Sequence, residues 1–440
     1  MSKTAKAILL FLSLVLVLFC VIGGLGVKAS TDDGAYRQLG VYSEVLSRIR
    51  SEYVEEPSMP AVTDGALHGL LESLDADSSY LTAAEYKQFK ARQGEGKAGI
   101  GATISKRFGY AAVVSVLPGG PADKAGLDDG DILEAVEGKS SREMSLAEIH
   151  SMLEGEPGST LTVSVVRARR AEPVKTEITR EAVPVPAPID KVVEEGIGYV
   201  QVQSLAKGKA AEVAAKVKTL QKSGAKKLIL DLRDVSDGEA PEGVALANLF
   251  VDHGTIAYLQ GQKFARETFN ADPAKTIAAL PLVVLVNRGT GGPAEIAAAA
   301  ILGNARGDVL GDKTFGLGSV QKTIELPDGS ALILSVAKYY PPSGKSFQEA
   351  AVTPNILVAD KDADSASPDD EDQEVATNEP LKKERDRKRS GPDEQLKRAI
   401  EVLKNGDKGA PQSASSAPAL NPAAPPTGNP LTRKAAAPQN

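Results

Sequence analysis

The chain has 440 residues, 42% of them apolar but only 4% aromatic, with no Trp. That length allows two or three domains, with cores built from Ala, Val, Leu and Ile. A net charge of −7 argues against nucleic acid as a partner. The single cysteine, Cys20, leaves the rest of the chain without disulfides, a catalytic thiol or cysteine-based metal sites.

At the N-terminus, Lys3 and Lys6 precede an apolar stretch from Ala7 to Val27. A spanning helix needs roughly 20 apolar residues, whereas a cleaved signal has an apolar region of about 7–15. Residues 1–30 are therefore expected to be an uncleaved anchor, holding the membrane through residues 7–27. A cleaved signal is the alternative, because Val27-Lys28-Ala29 offers a small-residue site before Ser30. The positive flank stays in the cytoplasm, so the bulk of the chain should lie in the periplasm or otherwise outside the cytoplasm, anchored to the inner membrane. No small residue precedes Cys20, so it reads as a buried side chain in an apolar helix and not as a lipidation site.

Residues 40–95 carry a helical pattern. Val45, Ile49 and Tyr53 recur at helical spacing, followed by Ala66, Leu67, Leu70, Leu71 and Leu74. Asp64 is the expected N-cap of a second helix, and Thr82-Ala-Ala-Glu85 reads as a capping box for a third. From residue 98 to 182 short strands with Gly and Pro punctuation take over, among them Ala111–Val116 and Leu161–Val166, with a helix over Ser145–Leu153 between them. The stiff connector Val183-Pro-Val-Pro-Ala-Pro188 closes this unit.

Residues 189–358 alternate strands and helices: Gly198–Val202, Lys209–Ser223, Lys227–Leu232, Pro241–Asp252, Leu280–Asn287 and Ala294–Leu302. That order predicts a layered α/β core. A hairpin is expected over Ser319–Glu325 and Leu332–Tyr339, about the turn Pro327-Asp-Gly329. Residues 359–440 read as a charged, then Ala-, Pro- and Ser-rich disordered tail, with a short helix over Pro392–Leu403 and a basic, solvated run at Lys382–Arg389.

The segment Gly99-Ile-Gly-Ala102 opens a strand. Such a loop can hold a peptide carboxylate on its N–H groups while the strand edge adds the peptide as an extra strand. It is followed by Gly119-Gly-Pro-Ala-Asp-Lys-Ala-Gly126-Leu127, Gly130-Asp131-Ile132-Leu133 and Val136-Glu-Gly138, then by Gly155-Glu-Pro-Gly158-Ser-Thr before Leu161–Arg167. In this order and spacing the unit resembles a bacterial PDZ domain. That resemblance implies binding of extended or C-terminal peptides, for which Gly99, Ile100, Gly101, Ala102, Ile149 and Met152 are candidate contacts, with core packing an equal claim on one of the last two.

The flanks extend the likeness. Leu74-Asp-Ala-Asp-Ser-Ser-Tyr-Leu81, Gly311-Asp-Lys-Thr-Phe-Gly316, Gly318-Ser-Val-Gln321, Tyr339-Tyr-Pro-Pro-Ser-Gly344 and Thr353-Pro-Asn-Ile356 resemble the motifs of the carboxyl-terminal processing proteases, the S41 serine peptidases. The resemblance runs from about residue 40 to 358 and implies an α/β peptidase core with an inserted PDZ domain. The family works with a Ser nucleophile, a Lys base and a Gln that orients the Lys. A serine hydroxyl needs such a base within reach, and burial can keep a lysine neutral enough to serve.

This chain departs from that pattern. It reads Gly289-Thr-Gly-Gly-Pro-Ala-Glu-Ile296 where the family has its nucleophile segment, so Gly292 takes the serine position. Phe315-Gly-Leu-Gly318 puts Leu317 at the lysine position, and only Gln321 remains. After Leu230-Asp-Leu-Arg233 one of the family's paired glycines is missing and Asp237 sits near the oxyanion region, where an acid would oppose developing negative charge.

The expected function is therefore a non-catalytic peptide-binding protein that holds extended or C-terminal peptides of exported proteins, or regulates an active family member. One alternative is an endopeptidase with a displaced nucleophile, Thr290 or Ser319. Another is a structural envelope scaffold whose tail makes the contacts. No cofactor or metal is expected, since no metal-ligand spacing or phosphate loop occurs.

Overall fold

The computed structural model describes residues 33–92, 98–107, 109–167, 170, 172–277, 279–348, 350–359, 380–389 and 391–405. The expected anchor with Cys20, and the tail beyond residue 405, lie outside these residues. Among the described residues no helix is long and apolar enough to cross a membrane.

The N-terminal segment holds helices α1 (Asp33–Glu52), α2 (Met59–Glu72) and α3 (Ala83–Arg92), with a short strand β1 (Ser79–Leu81) before α3. Helix α2 starts after Ser58 and not at Asp64. Pro60 is tolerated in its first turn, where an N–H has no intrahelical partner. The capping box of α3 forms as expected: the Glu85 N–H donates to Thr82 Oγ1 at 3.3 Å, and the Thr82 N–H to Glu85 Oε2 at 2.8 Å. Strand β1 is fully buried, but three residues are too few to show a period.

The second unit contains β2 (Ala102–Arg107), β3 (Tyr110–Val116), α4 (Pro121–Ala125), β4 (Ile132–Val136), β5 (Lys139–Ser140), α5 (Leu146–Leu153), β6 (Thr160–Val166) and β7 (Val174–Thr179). Its sheet runs β2-β3-β4-β6-β7, with β5 added to β4. Alternation in β6 buries Leu161, Val163 and Val165 against Ile104, Leu133, Val136 and Ile149. Helix α5 carries a full capping box between Ser145 and Glu148.

The third unit contains β8 (Ile189–Glu194), β9 (Ile197–Gln201), α6 (Lys209–Lys222), β10 (Lys227–Asp231), α7 (Ala240–Asn248), β11 (Thr255–Gln260), β12 (Glu267–Asn270), β13 (Leu282–Val286), α8 (Pro293–Gly303), β14 (Asp308–Gly311), β15 (Ser319–Glu325), β16 (Ala331–Tyr340) and β17 (Ile356–Leu357). One sheet runs β17-β14-β13-β10-β9-β8, parallel except for the edge strand β8. Every residue of β13 is buried, as an apolar run covered on both faces requires. Helices α7 and α8 pack so closely that a Cβ on Gly243 would stand 2.2 Å from the Pro293 carbonyl oxygen. A second sheet, β1-β16-β11-β12 with β15 on β16, contains the expected hairpin. It also takes β1 from the N-terminal segment, which the sequence pattern did not announce.

The tail needs correction. Residues Leu381–Arg389 form helix α9 and Glu394–Asn405 form α10. Helix α9 docks on the second unit, where Leu381 joins its core. Arg385 donates to the Asp123 carboxylate and to the Leu127 carbonyl, while Glu384 accepts from Arg170. The expected solvated run is thus buried and paired at Arg385, while Lys382 and Lys383 stay exposed. Helix α10 returns to the parallel sheet, with Ala399, Val402 and Leu403 beside Tyr199, Ile229 and Leu285.

Candidate functional site

Strand β13 ends in the turn Asn287–Gly292, which opens α8 at the carboxyl edge of the parallel sheet, the usual place for a site in such a fold. Gly292 holds φ 52° and ψ −118°, a region L residues enter only under strain. Sharp strand-to-helix turns of this kind can seat a nucleophile. A Cβ there would meet nothing nearer than the Ser236 carbonyl oxygen at 3.5 Å. The turn therefore has room for a side chain and carries none.

Below the turn lies Glu295, wholly buried. Its carboxylate accepts from the N–H groups of Gly292 at 3.0 Å, Gly316 at 2.8 Å and Leu317 at 2.7 Å, and from the Thr314 hydroxyl. One carboxylate thus ties the start of α8 to the loop that presents Leu317. Burial outweighs these donors and pushes its pKa up to about 7. The sequence reading missed this residue, although Glu three positions after an N-cap is a capping signal.

Gly292, Leu317, Ser319 and Gln321 line one cavity of about 460 Å³. The structure thus brings together Gly292, Leu317 and Gln321, the positions expected to match the family's Ser, Lys and Gln, with one candidate hydroxyl. Ser319 donates to Asp77, and Gln321 Nε2 donates to Ser319 Oγ at 2.6 Å. Asp77 also accepts from Gln348 Nε2 at 3.1 Å. Thr290 is separated from this group. It is fully buried, its hydroxyl donates to the Leu232 carbonyl at 2.8 Å, and it accepts from the Asn287 N–H at 3.0 Å. That hydroxyl shapes the turn and does not face the cavity.

Asp237 is also turned away. The Ser204 hydroxyl donates to its carboxylate, burial holds its pKa above the usual range, and the cavity is lined by Ser236 and Gly238 on either side of it. The expected clash between Asp237 and an oxyanion is corrected accordingly.

The second unit forms the far wall. Thr103, Ile104, Leu146 and His150 line the same cavity. Ser115 and Ser236 hydroxyls are hydrogen bonded across the units, and Arg107 stacks on the Phe315 ring at 4.7 Å. The expected helix contacts are replaced by other residues of the same helix. Ile149 is fully buried in the domain core, and Met152 packs against that core. The helix residues that face the groove are Leu146 and His150, one turn apart. His150 Nε2 lies 3.1 Å from the Ile104 carbonyl oxygen and occupies that point of the β2 edge.

The loop at Gly99, Ile100, Gly101 and Ala102 also differs from expectation. Ala98 and Gly99 pair their backbones with Gly155 and Glu181, Ile100 is in the core, and Val183 of the Pro-rich connector packs over Gly99 and Gly101. None of these four residues lines the cavity.

Comparison with known proteins agrees with this architecture. Residues 196–358 match the model for peptidase family S41, and residues 113–167 match a PDZ domain. The chain is 32% identical to the carboxy-terminal processing protease CtpA of Bacillus subtilis over 75% of its own length and 70% of that protein's. It is 29% identical to a carboxy-terminal-processing protease of Bartonella bacilliformis, covering 76% of this chain and 77% of the other. Among solved structures, the photosystem II D1 C-terminal processing protease matches with a TM-score of 0.60 and 26% identity, over 72% of this chain and 92% of that one. A mixed α/β peptidase core, a PDZ domain inserted over its cleft and relatives that share most of its length place this chain in the S41 peptidase family, among the carboxy-terminal processing proteases.

Proposed function

We propose that this chain is an exported, non-catalytic member of its family that binds extended peptides in the cleft between the PDZ domain and the peptidase core. The observation that carries this reading is the sharp turn at Gly292, which has room for a side chain while the residue bears none. Leu317 adds to it, since the side chain that lines the cavity with Gly292 at the expected lysine position is apolar and cannot act as a base. Losing a nucleophile alone costs on the order of a million-fold in a related triad. The bound chains would be unfolded or terminal parts of exported proteins, held for a partner or an active relative. The exported placement rests on Ala7–Val27.

Ser319 supports a second reading, an endopeptidase with a displaced nucleophile, because Asp77 accepts its hydroxyl proton. A carboxylate is a far weaker base than a neutral lysine amine, so the binding reading is preferred. Incubating the purified protein with an unfolded substrate, alongside a peptide-binding assay, separates the two. Binding without cleavage is expected. Cleavage that disappears in Ser319→Ala would overturn the binding reading, and absence of any peptide binding by folded protein would also count against it.

A further inference from the structure

Several buried or half-buried carboxylates in this molecule face a cation, whereas Glu295 and Asp237 are held by close neutral donors. Asp131 pairs with Arg167, Asp231 with Arg233, Asp123 with Arg385 and Asp312 with Arg288. Asp77 does not. Its Oδ2 accepts from Ser319 and Gln348, both neutral, and its Oδ1 accepts no hydrogen bond among the described residues. It lines the cavity of about 460 Å³ and also the adjoining one of about 300 Å³.

The two cavities share Asp77, Leu146, His150 and Gln321, and among the described residues no lysine or arginine lines either. The smaller one adds a second carboxylate, Glu154, which has no cation partner among the described residues. The continuous space is therefore apolar at Ile104, Leu146, Ile296 and Leu317 and negative at Asp77 and Glu154. A carboxylate exposed to a partly dry cleft and lacking a counter-charge favours a cation there. It opposes a free C-terminal carboxylate for the same reason. The loop that would capture such a carboxylate is already covered by Val183.

We propose that the cleft takes an internal, extended polypeptide segment that sets a lysine or arginine side chain on Asp77, with apolar neighbours on Leu146 and Leu317. This rests on the peptide-binding reading and narrows it to a ligand class. The ammonium or guanidinium donates to the open Oδ1, and the apolar side chains fill the remaining volume.

The test measures fluorescence polarisation of the full chain with peptides of one apolar frame. The central residue is Lys, Gln or Glu, and each peptide is made with an amidated and with a free C-terminus. The Lys peptide should bind about tenfold tighter than the Gln peptide, as a charge-assisted hydrogen bond predicts, and the Glu peptide weaker still. Amidation should leave the Lys peptide's affinity unchanged or improved. In Asp77→Asn, which keeps an acceptor for Ser319 and Gln348, the Lys advantage should fall to below about threefold. It should also shrink with added salt. Equal affinity for all three peptides on the unmodified protein would overturn the proposal while leaving peptide binding intact. A Lys advantage that survives Asp77→Asn but is lost in Glu154→Gln would overturn the assignment to Asp77. No binding of any peptide would overturn both.

Discussion

The PDZ domain meets the rest of the chain on two faces, and they are finished differently. On its outer face α9 closes an ion-pair network: Arg385 with Asp123, Arg167 with Asp131, and Arg170 with Glu384. Leu381 fills the apolar gap beside them. On the inner face the Ser115 and Ser236 hydroxyls meet, Arg107 stacks on Phe315, Asp77 faces no cation among the described residues, and two adjoining cavities remain. One face is satisfied within the chain and serves to hold. The other is satisfied only in part, as a surface awaiting a ligand would be.

The comparison breaks most visibly at the satisfied face. Arg167→Ala leaves Asp131, with 2% of its side chain exposed, without its partner. A loss of about 3–5 kcal/mol is expected, as for other severed buried pairs, and denaturant unfolding measures it. Removal of Glu154 on the open face should change stability by less than about 0.5 kcal/mol.

The catalytic frame comes next. Restoring both missing groups in Gly292→Ser/Leu317→Lys should raise cleavage of an unfolded substrate on the order of a hundredfold or more above the unmodified chain, with neither single change doing so. Serine at φ 52° should also cost about 1–3 kcal/mol of stability, read from the unfolding midpoint.

Glu295 gives the pH test. Its folded pKa of about 7 lies above its ordinary 4.5. The folded state then holds the proton more tightly, so this group's contribution is fully present below pH 4.5 and is lost as pH rises through about 7. Glu295→Gln should remove that slope. It should also cost about 2 kcal/mol, because its amide group faces N–H donors. Unfolding midpoints between pH 4 and 8 check both.

The smallest effect belongs to His150. A peptide strand pairing with β2 must displace its contact with the Ile104 carbonyl. His150→Ala should tighten peptide binding a few-fold, since one such bond is worth about 1 kcal/mol.

Much of this was legible from residue patterns. The β10 and β13 apolar runs, the Ser145–Glu148 and Thr82–Glu85 caps and the hairpin around Gly329 are local signals, and local chemistry fixes them. The positions Gly292, Leu317 and Gln321 were found through flanking motifs, and the structure gathers them in one cavity. What escaped depends on contacts across long stretches of chain. Strand β1 takes its meaning from β16, where Tyr80 pairs with Leu332. Helix α9, rich in Lys and Arg, reads as solvated until Asp123 and Leu127 are beside it. On α5 the spacing identifies the helix but not which side faces the groove, so Ile149 and Met152 are the expected contacts where Leu146 and His150 line the cavity. Asp77 and Ser319 are separated by 242 positions, and no spacing rule joins them.

Helix α9 also sets an order in time. Domains tend to fold as they emerge, N-terminal part first. The PDZ domain is complete at Thr179, yet Asp123 and Arg167 gain their last partners only when Leu381–Arg389 has been made. During synthesis Asp123, Arg167 and Arg170 therefore wait for these contacts until nearly the whole peptidase core has been made. A helix near the chain's end thus completes the seating of a domain from its first half.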